Sequence, residues 1–206
     1  MLMAQAEPVL IFVCGWPMSG KTELAQHLSL QLGIHYVDID DLRWMLFGQP
    51  NPHPDASPIL RARDRQEMSA SYRILFDVID WHLSASRSIL VTAPLSLKVG
   101  GQTEVERLWR KYPNTLLRVV QCLPENDTPE AVACMMAKRS FGTTGGYKGA
   151  VNSSQRYFEV KDRYQPIELP HIKVQTWGST QSIEDGVQMV IEYVLRLQPH
   201  DFRVSR

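Results

Sequence analysis

Val9-Leu10-Ile11-Phe12-Val13-Cys14-Gly15-Trp16-Pro17-Met18-Ser19-Gly20-Lys21-Thr22 decides the fold. Residues 9–14 are unbroken apolar sequence, β-branched in part, the pattern of a strand covered on both faces as in a parallel sheet. Gly15 ends the run. From about Lys21 the pattern turns helical, with Leu24, Leu28 and Leu32 at four-residue spacing and Gly33 as a stop. A strand, a glycine-bearing turn and a helix therefore follow one another within 25 residues.

The turn between them carries the chemistry. Gly15 to Thr22 fits G-x-x-x-x-G-K-[ST], and each fixed position has a task. Gly15 and Gly20 allow the backbone to turn its N–H groups inward, and Trp16, Pro17, Met18 and Ser19 supply the span between them. Lys21 brings a compact positive charge to the β- and γ-phosphates of a nucleotide, and Thr22 offers a hydroxyl to Mg²⁺. The helix N-terminus behind the loop adds its partial positive charge. ATP and Mg²⁺ are the cofactors this pattern implies.

Outward from the loop, short apolar runs alternate with helical patterns. Strands are expected at 34–38, 88–93, 116–123 and 172–176, and helices at 64–84, 103–111, 128–139, 155–163 and from 183 onward. Four prolines make 49–58 a loop. The alternation predicts βα units: an α/β, three-layer α/β/α sandwich on a five-stranded parallel sheet. No repeat or linker divides the chain, so 1–206 is expected to be a single domain, with a Gly-, Ser- and Thr-rich lid over 141–153 and a flexible tail over 198–206.

The 206 residues hold 22 basic and 22 acidic side chains, a formal net charge of zero that argues against a general nucleic-acid coat. The three cysteines are an odd number without a Cys-x-x-Cys pair, which argues against a disulfide framework or zinc site. No basic region precedes an apolar stretch at the N-terminus, and residues 9–14 are too short to span a bilayer. The expectation is a cytoplasmic protein with no membrane partner.

Within the nucleotide-binding possibilities, Asn-Lys-x-Asp, which reads guanine, is absent. The third and fourth strands end in Thr92-Ala93 and Cys122 and supply no acid. The acids stand after the second strand, in Asp38-Ile39-Asp40-Asp41-Leu42-Arg43. Ligands of an open α/β sheet lie beyond the carboxyl ends of its strands, so Asp38 and Asp40 are expected near the loop, on one side if strand alternation continues. An acid there can take a hydroxyl proton or hold a magnesium-bound water.

The loop together with Asp38-x-Asp40-Asp41-Leu42-Arg43 resembles the P-loop kinase group that includes shikimate and gluconate kinases, chloramphenicol phosphotransferase, zeta-toxin kinases and polynucleotide 5′-kinase. The resemblance implies transfer of the γ-phosphoryl group of ATP to the hydroxyl of a small molecule. It makes Asp40 the activating or orienting acid, Arg43 a substrate-binding residue and Asp38 a partner of magnesium. It also implies a lid arginine after the fourth strand, matched by Arg139, with Arg156 following as a further substrate contact. Three alternatives stay open: a nucleic-acid end as acceptor, a nucleotide-sugar acceptor, or an ATP-binding regulator without an acceptor. The sequence indicates no oligomeric state.

Overall fold

The computed structural model describes residues 7–48, 57–94, 101–142, 154–162, 164, 166–177 and 182–195. Its elements run β1 (Val9–Cys14), α1 (Lys21–Leu32), β2 (His35–Asp38), α2 (Ile39–Phe47), α3 (Pro58–Ser84), β3 (Ile89–Thr92), α4 (Gly101–Lys111), β4 (Leu116–Pro124), α5 (Pro129–Gly142), α6 (Ser154–Lys161), β5 (His171–Trp177) and α7 (Ile183–Leu195). The sheet has five strands in the order β2-β3-β1-β4-β5, and every pairing is parallel.

Strand alternation sorts the core into two layers. Leu10, Phe12 and Cys14 of β1 point to one face, with Ile89, Val91 and Val119 of the neighbouring strands. There they meet Ile39 of α2, Tyr72, Leu75, Phe76, Ile79 and Leu83 of α3, and Val105 and Leu108 of α4. Ile11 and Val13 point the other way, with Leu90, Val120, Cys122 and Val174, onto Leu24, Ala25 and Leu28 of α1 and Val187, Val190 and Val194 of α7. Helices thus cover both faces of the sheet, as the continuous apolar strands require. Each fully buried leucine in these layers contributes roughly 1.5–3 kcal/mol by its removal from water.

Three elements depart from the sequence expectation. Strand β2 ends at Asp38 as expected, but a helix the sequence did not announce, α2, starts at Ile39 with Asp38 as its N-cap. Asp38 accepts a hydrogen bond from the Asp40 backbone N–H at 2.7 Å, so the chain turns into a helix there. Asp38 and Asp40 are therefore not related by strand alternation. Helix α3 begins at Pro58, six residues before the apolar stripe announces it, because Ser57 caps it and Pro58 occupies its first turn. Helix α4 likewise opens two residues earlier than expected, at Gly101. At the start of α7, Ser182 and Asp185 exchange backbone-to-side-chain hydrogen bonds at 3.1 and 3.2 Å, a reciprocal cap. Residues 143–153 of the expected lid and the tail 198–206 lie outside the described residues. Among the described residues no helix is long and apolar enough to cross a membrane.

Candidate active site at the carboxyl edge of the sheet

The loop from Gly15 to Thr22 leaves the central strand β1 and enters α1. Two of its residues require glycine or its equivalent in backbone freedom. Gly15 has φ 150°, and a Cβ there would sit 2.4 Å from Ser19 Oγ and 2.7 Å from the Cys122 carbonyl. Gly20, the N-cap of α1, is left-handed at φ 75°. Met18 holds φ 68° without being a glycine, a conformation that costs of order 1 kcal/mol and persists only where the surroundings enforce it. Those surroundings are visible. The Ser19 backbone N–H donates to the Trp16 carbonyl at 3.2 Å, and the Thr176 hydroxyl of β5 donates to the Ser19 carbonyl. Ser19 is fully buried, and its own hydroxyl has no partner among the described residues.

Trp16 is anchored from outside the loop. Its indole N–H donates to the Tyr157 hydroxyl of α6 at 2.6 Å, and the Lys161 ammonium lies 5.4 Å from its ring centroid. Lys161 also pairs with Asp127. Burial pushes the Tyr157 phenol up to about 12, so it stays protonated and the indole uses its oxygen as acceptor.

Lys21 is buried at the start of α1. Thr22 is exposed, and its hydroxyl donates to Asp38 Oδ2 at 3.1 Å. The Thr92 hydroxyl at the end of β3 donates to the same oxygen at 2.7 Å, and the Tyr36 hydroxyl at 2.9 Å. Asp38 is thus a buried carboxylate gripped by three hydroxyls and one backbone N–H. Tyr36 precedes it by two positions on the same strand face, a period-two signal that sequence reading passed over. Burial and the charge of Asp38 both raise the Tyr36 phenol, which keeps it a donor. Thr92, where the third strand supplies no acid, is instead a hydrogen-bond partner of Asp38.

Asp40 differs. It is exposed, and among the described residues its carboxylate accepts no hydrogen bond and forms no ion pair. The protein mass around it still raises its pKa from the ordinary carboxylate value; Lys21 and Arg43 oppose the rise, and Asp38 and Asp41 add to it. The Tyr164 phenol, between α6 and β5, is raised by burial and then by the charge of Asp40, so the two groups lie within electrostatic reach.

Arg43 is buried, at 3% exposure, and points into an acidic pair on α3. It forms an ion pair with Asp64 and lies 3.5 Å from Glu67, which also binds Arg63 at 2.6 Å. Sequence reading missed Asp64 and Glu67. Their only signal was the i, i+3 spacing that puts both on one helix face. Arg156 lies on α6 and pairs with Glu159 at 2.8 Å. The backbone of Arg139 falls in the last turns of α5; its side chain lies outside the described residues.

The donors fit magnesium. A hydroxyl and a carboxylate oxygen 3.1 Å apart at the mouth of a glycine-bearing loop are hard oxygen ligands, the kind that ion takes, with Lys21 beside them for phosphate.

Residues 10–131 match the AAA domain family. Comparison with curated protein sequences finds no match. Among solved structures, the chain is similar to a protein from Chloroflexus aurantiacus J-10-fl, with a TM-score of 0.66, 18% identity, and 93% of this chain and 98% of the other covered. It is also similar to a gluconokinase from Sinorhizobium meliloti 1021, with a TM-score of 0.55, 17% identity, and 94% and 95% covered. A third is shikimate kinase from Acinetobacter baumannii in complex with shikimate, with a TM-score of 0.56, 15% identity, and 93% and 96% covered. At these identities the likeness is one of fold alone, a fold that the gluconokinase and the shikimate kinase share with this chain. With the family match spanning more than half of its length, the chain belongs to the AAA domain family.

Proposed function

We propose that this protein is a phosphotransferase that moves the γ-phosphoryl group of Mg-ATP to a hydroxyl of a small molecule. The observation that carries the reading is the hydrogen bond from the loop hydroxyl of Thr22 to Asp38, with the exposed carboxylate of Asp40 two residues further on. One carboxylate is tied into the phosphate end of the site, and the next is available to a second substrate.

In this reading the backbone of Gly15 to Gly20 and the ammonium of Lys21 hold the phosphates, and Thr22 with Asp38 holds the ion. Magnesium supplies neutralisation of phosphate charge. Thr92 and Tyr36 orient Asp38 by donating to it. Asp40 orients the acceptor hydroxyl and receives its proton as the new oxygen–phosphorus bond forms and the bond to the ADP oxygen breaks. Arg139, carried on α5 toward the lid, would stabilise charge on the transferring group, and Arg156 would contact substrate from α6. Arg43 would stand behind the acceptor, acting through the carboxylates it binds.

The test is Mg-ATP turnover in the presence of hydroxylated metabolites, antibiotics and oligonucleotide ends, with Lys21→Ala as control. Acceptor-stimulated turnover that drops on the order of 10²–10³-fold in the control supports the reading. ATP binding with no stimulation by any acceptor would favour a nucleotide-binding regulator.

A further inference from the structure

We propose that the acceptor carries an aromatic ring about one helical turn away from the hydroxyl that is phosphorylated, and that Trp44 of α2 is the surface on which this ring stacks. The proposal rests on the phosphotransferase reading and narrows its acceptor.

Helix α2 carries apolar residues on more than one side. Ile39 is fully buried, and Leu42 packs half-buried against the same core, which accounts for the inner side. Trp44, Met45 and Leu46 then follow in succession, and all three are exposed. A helix that is apolar all round is ordinarily buried, and α2 is not. In the first turn of α3, Ile59 and Leu60 are exposed as well, and the ion pair between Arg43 and Asp64 ties the two helices together. These five make up most of the nine exposed large apolar side chains among the described residues. A bare apolar side chain standing alone is ordinary, whereas a concentration on two joined helices marks a surface that something covers.

The position of Trp44 indicates the occupant. It stands four residues after Asp40 and three after Asp41, so both acids lie one turn before it on the same side of α2. At that spacing the Cβ atoms of Asp40 and Trp44 are roughly 5–6 Å apart. Helical side chains lean toward the N-terminus of their helix, which carries the indole toward the turn that holds the acids. Met45 and Leu46 leave the helix about 100° and 200° further round, off this stripe. Asp40 and Asp41 are exposed, and Trp44 is 53% exposed. A ligand with its hydroxyl at Asp40 therefore has the indole within one turn, and an indole face is matched best by a second flat ring stacked with an offset. The same acids count against the other occupants. A second copy of this chain seated on Trp44 would desolvate the carboxylates beside it, and an anionic lipid surface would meet them as like charges. An acceptor hydroxyl gives Asp40 a hydrogen bond instead.

Ring-matched acceptors test this directly. Full-length protein is given Mg-ATP with phenyl against methyl β-D-glucopyranoside, thymidine against deoxyribose, and phenylpropanol against propanol. Phosphorylated product is detected directly, with Lys21→Ala as background. The expected result is a kcat/KM about tenfold or more higher for the ring-bearing member of each productive pair. Trp44→Ala, checked for native circular dichroism, is expected to abolish that preference through KM with kcat little changed, and Trp44→Phe to keep most of it. Leu30→Ala, which trims a more exposed apolar residue on α1, is expected to leave the preference as it is. Equal kcat/KM for both members of every productive pair, or a preference that survives Trp44→Ala, overturns this proposal and leaves the phosphotransferase reading intact. A sedimentation mass that falls in Trp44→Ala overturns it too, by assigning Trp44 to a contact between copies. Flotation with phosphatidylglycerol vesicles that Trp44→Ala abolishes overturns it in favour of a lipid surface. ATP binding with neither binding nor phosphorylation of any of these acceptors takes down the phosphotransferase reading and this proposal with it.

Discussion

Two carboxylates two residues apart, Asp38 and Asp40, sit in opposite kinds of surroundings. Asp38 is buried and saturated: Thr22, Tyr36, Thr92 and the Asp40 backbone all donate to it. Asp40 is exposed, its charged neighbours act on it from a distance, and the arginine that follows it turns away to Asp64 and Glu67. The first region is built by hydrogen bonds that join the start of α1 to the ends of β2 and β3. The second is built by ion pairs between α2 and α3. The difference teaches that a short acidic segment can divide its labour. A capped strand end fixes one acid to the nucleotide side, and the helix started by that cap carries the next acid out toward a second substrate.

The largest expected effect belongs to the exposed acid. Asp40→Asn should lower kcat by about 10²–10⁴-fold, the usual contribution of a general base, while ATP affinity and melting temperature stay near wild type. Steady-state kinetics beside a thermal melt reads both. Full turnover in the variant would remove Asp40 as the base and leave the comparison without its catalytic half.

Asp38→Asn sharpens the same contrast from the other side. An amide keeps one acceptor oxygen and adds donors that face three hydroxyls, so turnover should fall on the order of 10²-fold and stability by about 1–3 kcal/mol. Loss of both properties together, against loss of activity alone at Asp40, is the signature of the buried site. Magnesium titration of turnover should show weakened dependence in this variant and an unchanged one in Asp40→Asn.

Arg43→Met probes the ion-paired region. It leaves Asp64 and Glu67 without their buried cation, a change that costs about 3 kcal/mol, at the lower end for broken buried pairs because Glu67 keeps Arg63. Urea unfolding should show the loss with an unchanged slope. ATP affinity should not move, since Arg43 touches none of the loop. A large drop in ATP affinity would mean that the two regions are not separable.

How much of this was legible beforehand follows from the range of the interactions. All five strands were readable: β1 as an unbroken apolar run, which has few other fates than a covered parallel strand, and the others as short strand-forming segments between helical patterns. The loop was readable because its glycines, lysine and threonine are contiguous. Helix α2 was not: Asp38 to Arg43 offers too few apolar positions to show a period, and its start depends on the Asp38 side chain turning back to the Asp40 N–H. The partners of Arg43 lie 21 and 24 positions away on α3, and Thr92 lies 54 from Asp38. Such pairings depend on how helices and strands meet, which no local pattern encodes. The contact of Trp16 was illegible for the same reason, because its partner is 141 positions away.

That last contact gives the smallest and most discriminating effect. Tyr157→Phe removes the oxygen that accepts the Trp16 indole N–H and keeps the ring that fills the space, so folding stability should fall by about 1 kcal/mol. The consequence for function depends on what holds the loop. Trp16 lies between two positions, Gly15 and Met18, whose backbone angles only their surroundings maintain. If the contact with α6 is part of what maintains them, the variant should bind ATP several-fold more weakly with kcat little changed, and the loss should persist in an assay without acceptor. If instead ATP affinity is unchanged, the loop is held from beneath by Thr176 and the buried Ser19 alone. The hydrogen-bonded region would then be self-sufficient, and α6 would belong with Arg43 and Asp64 to the half of the site that answers to the acceptor.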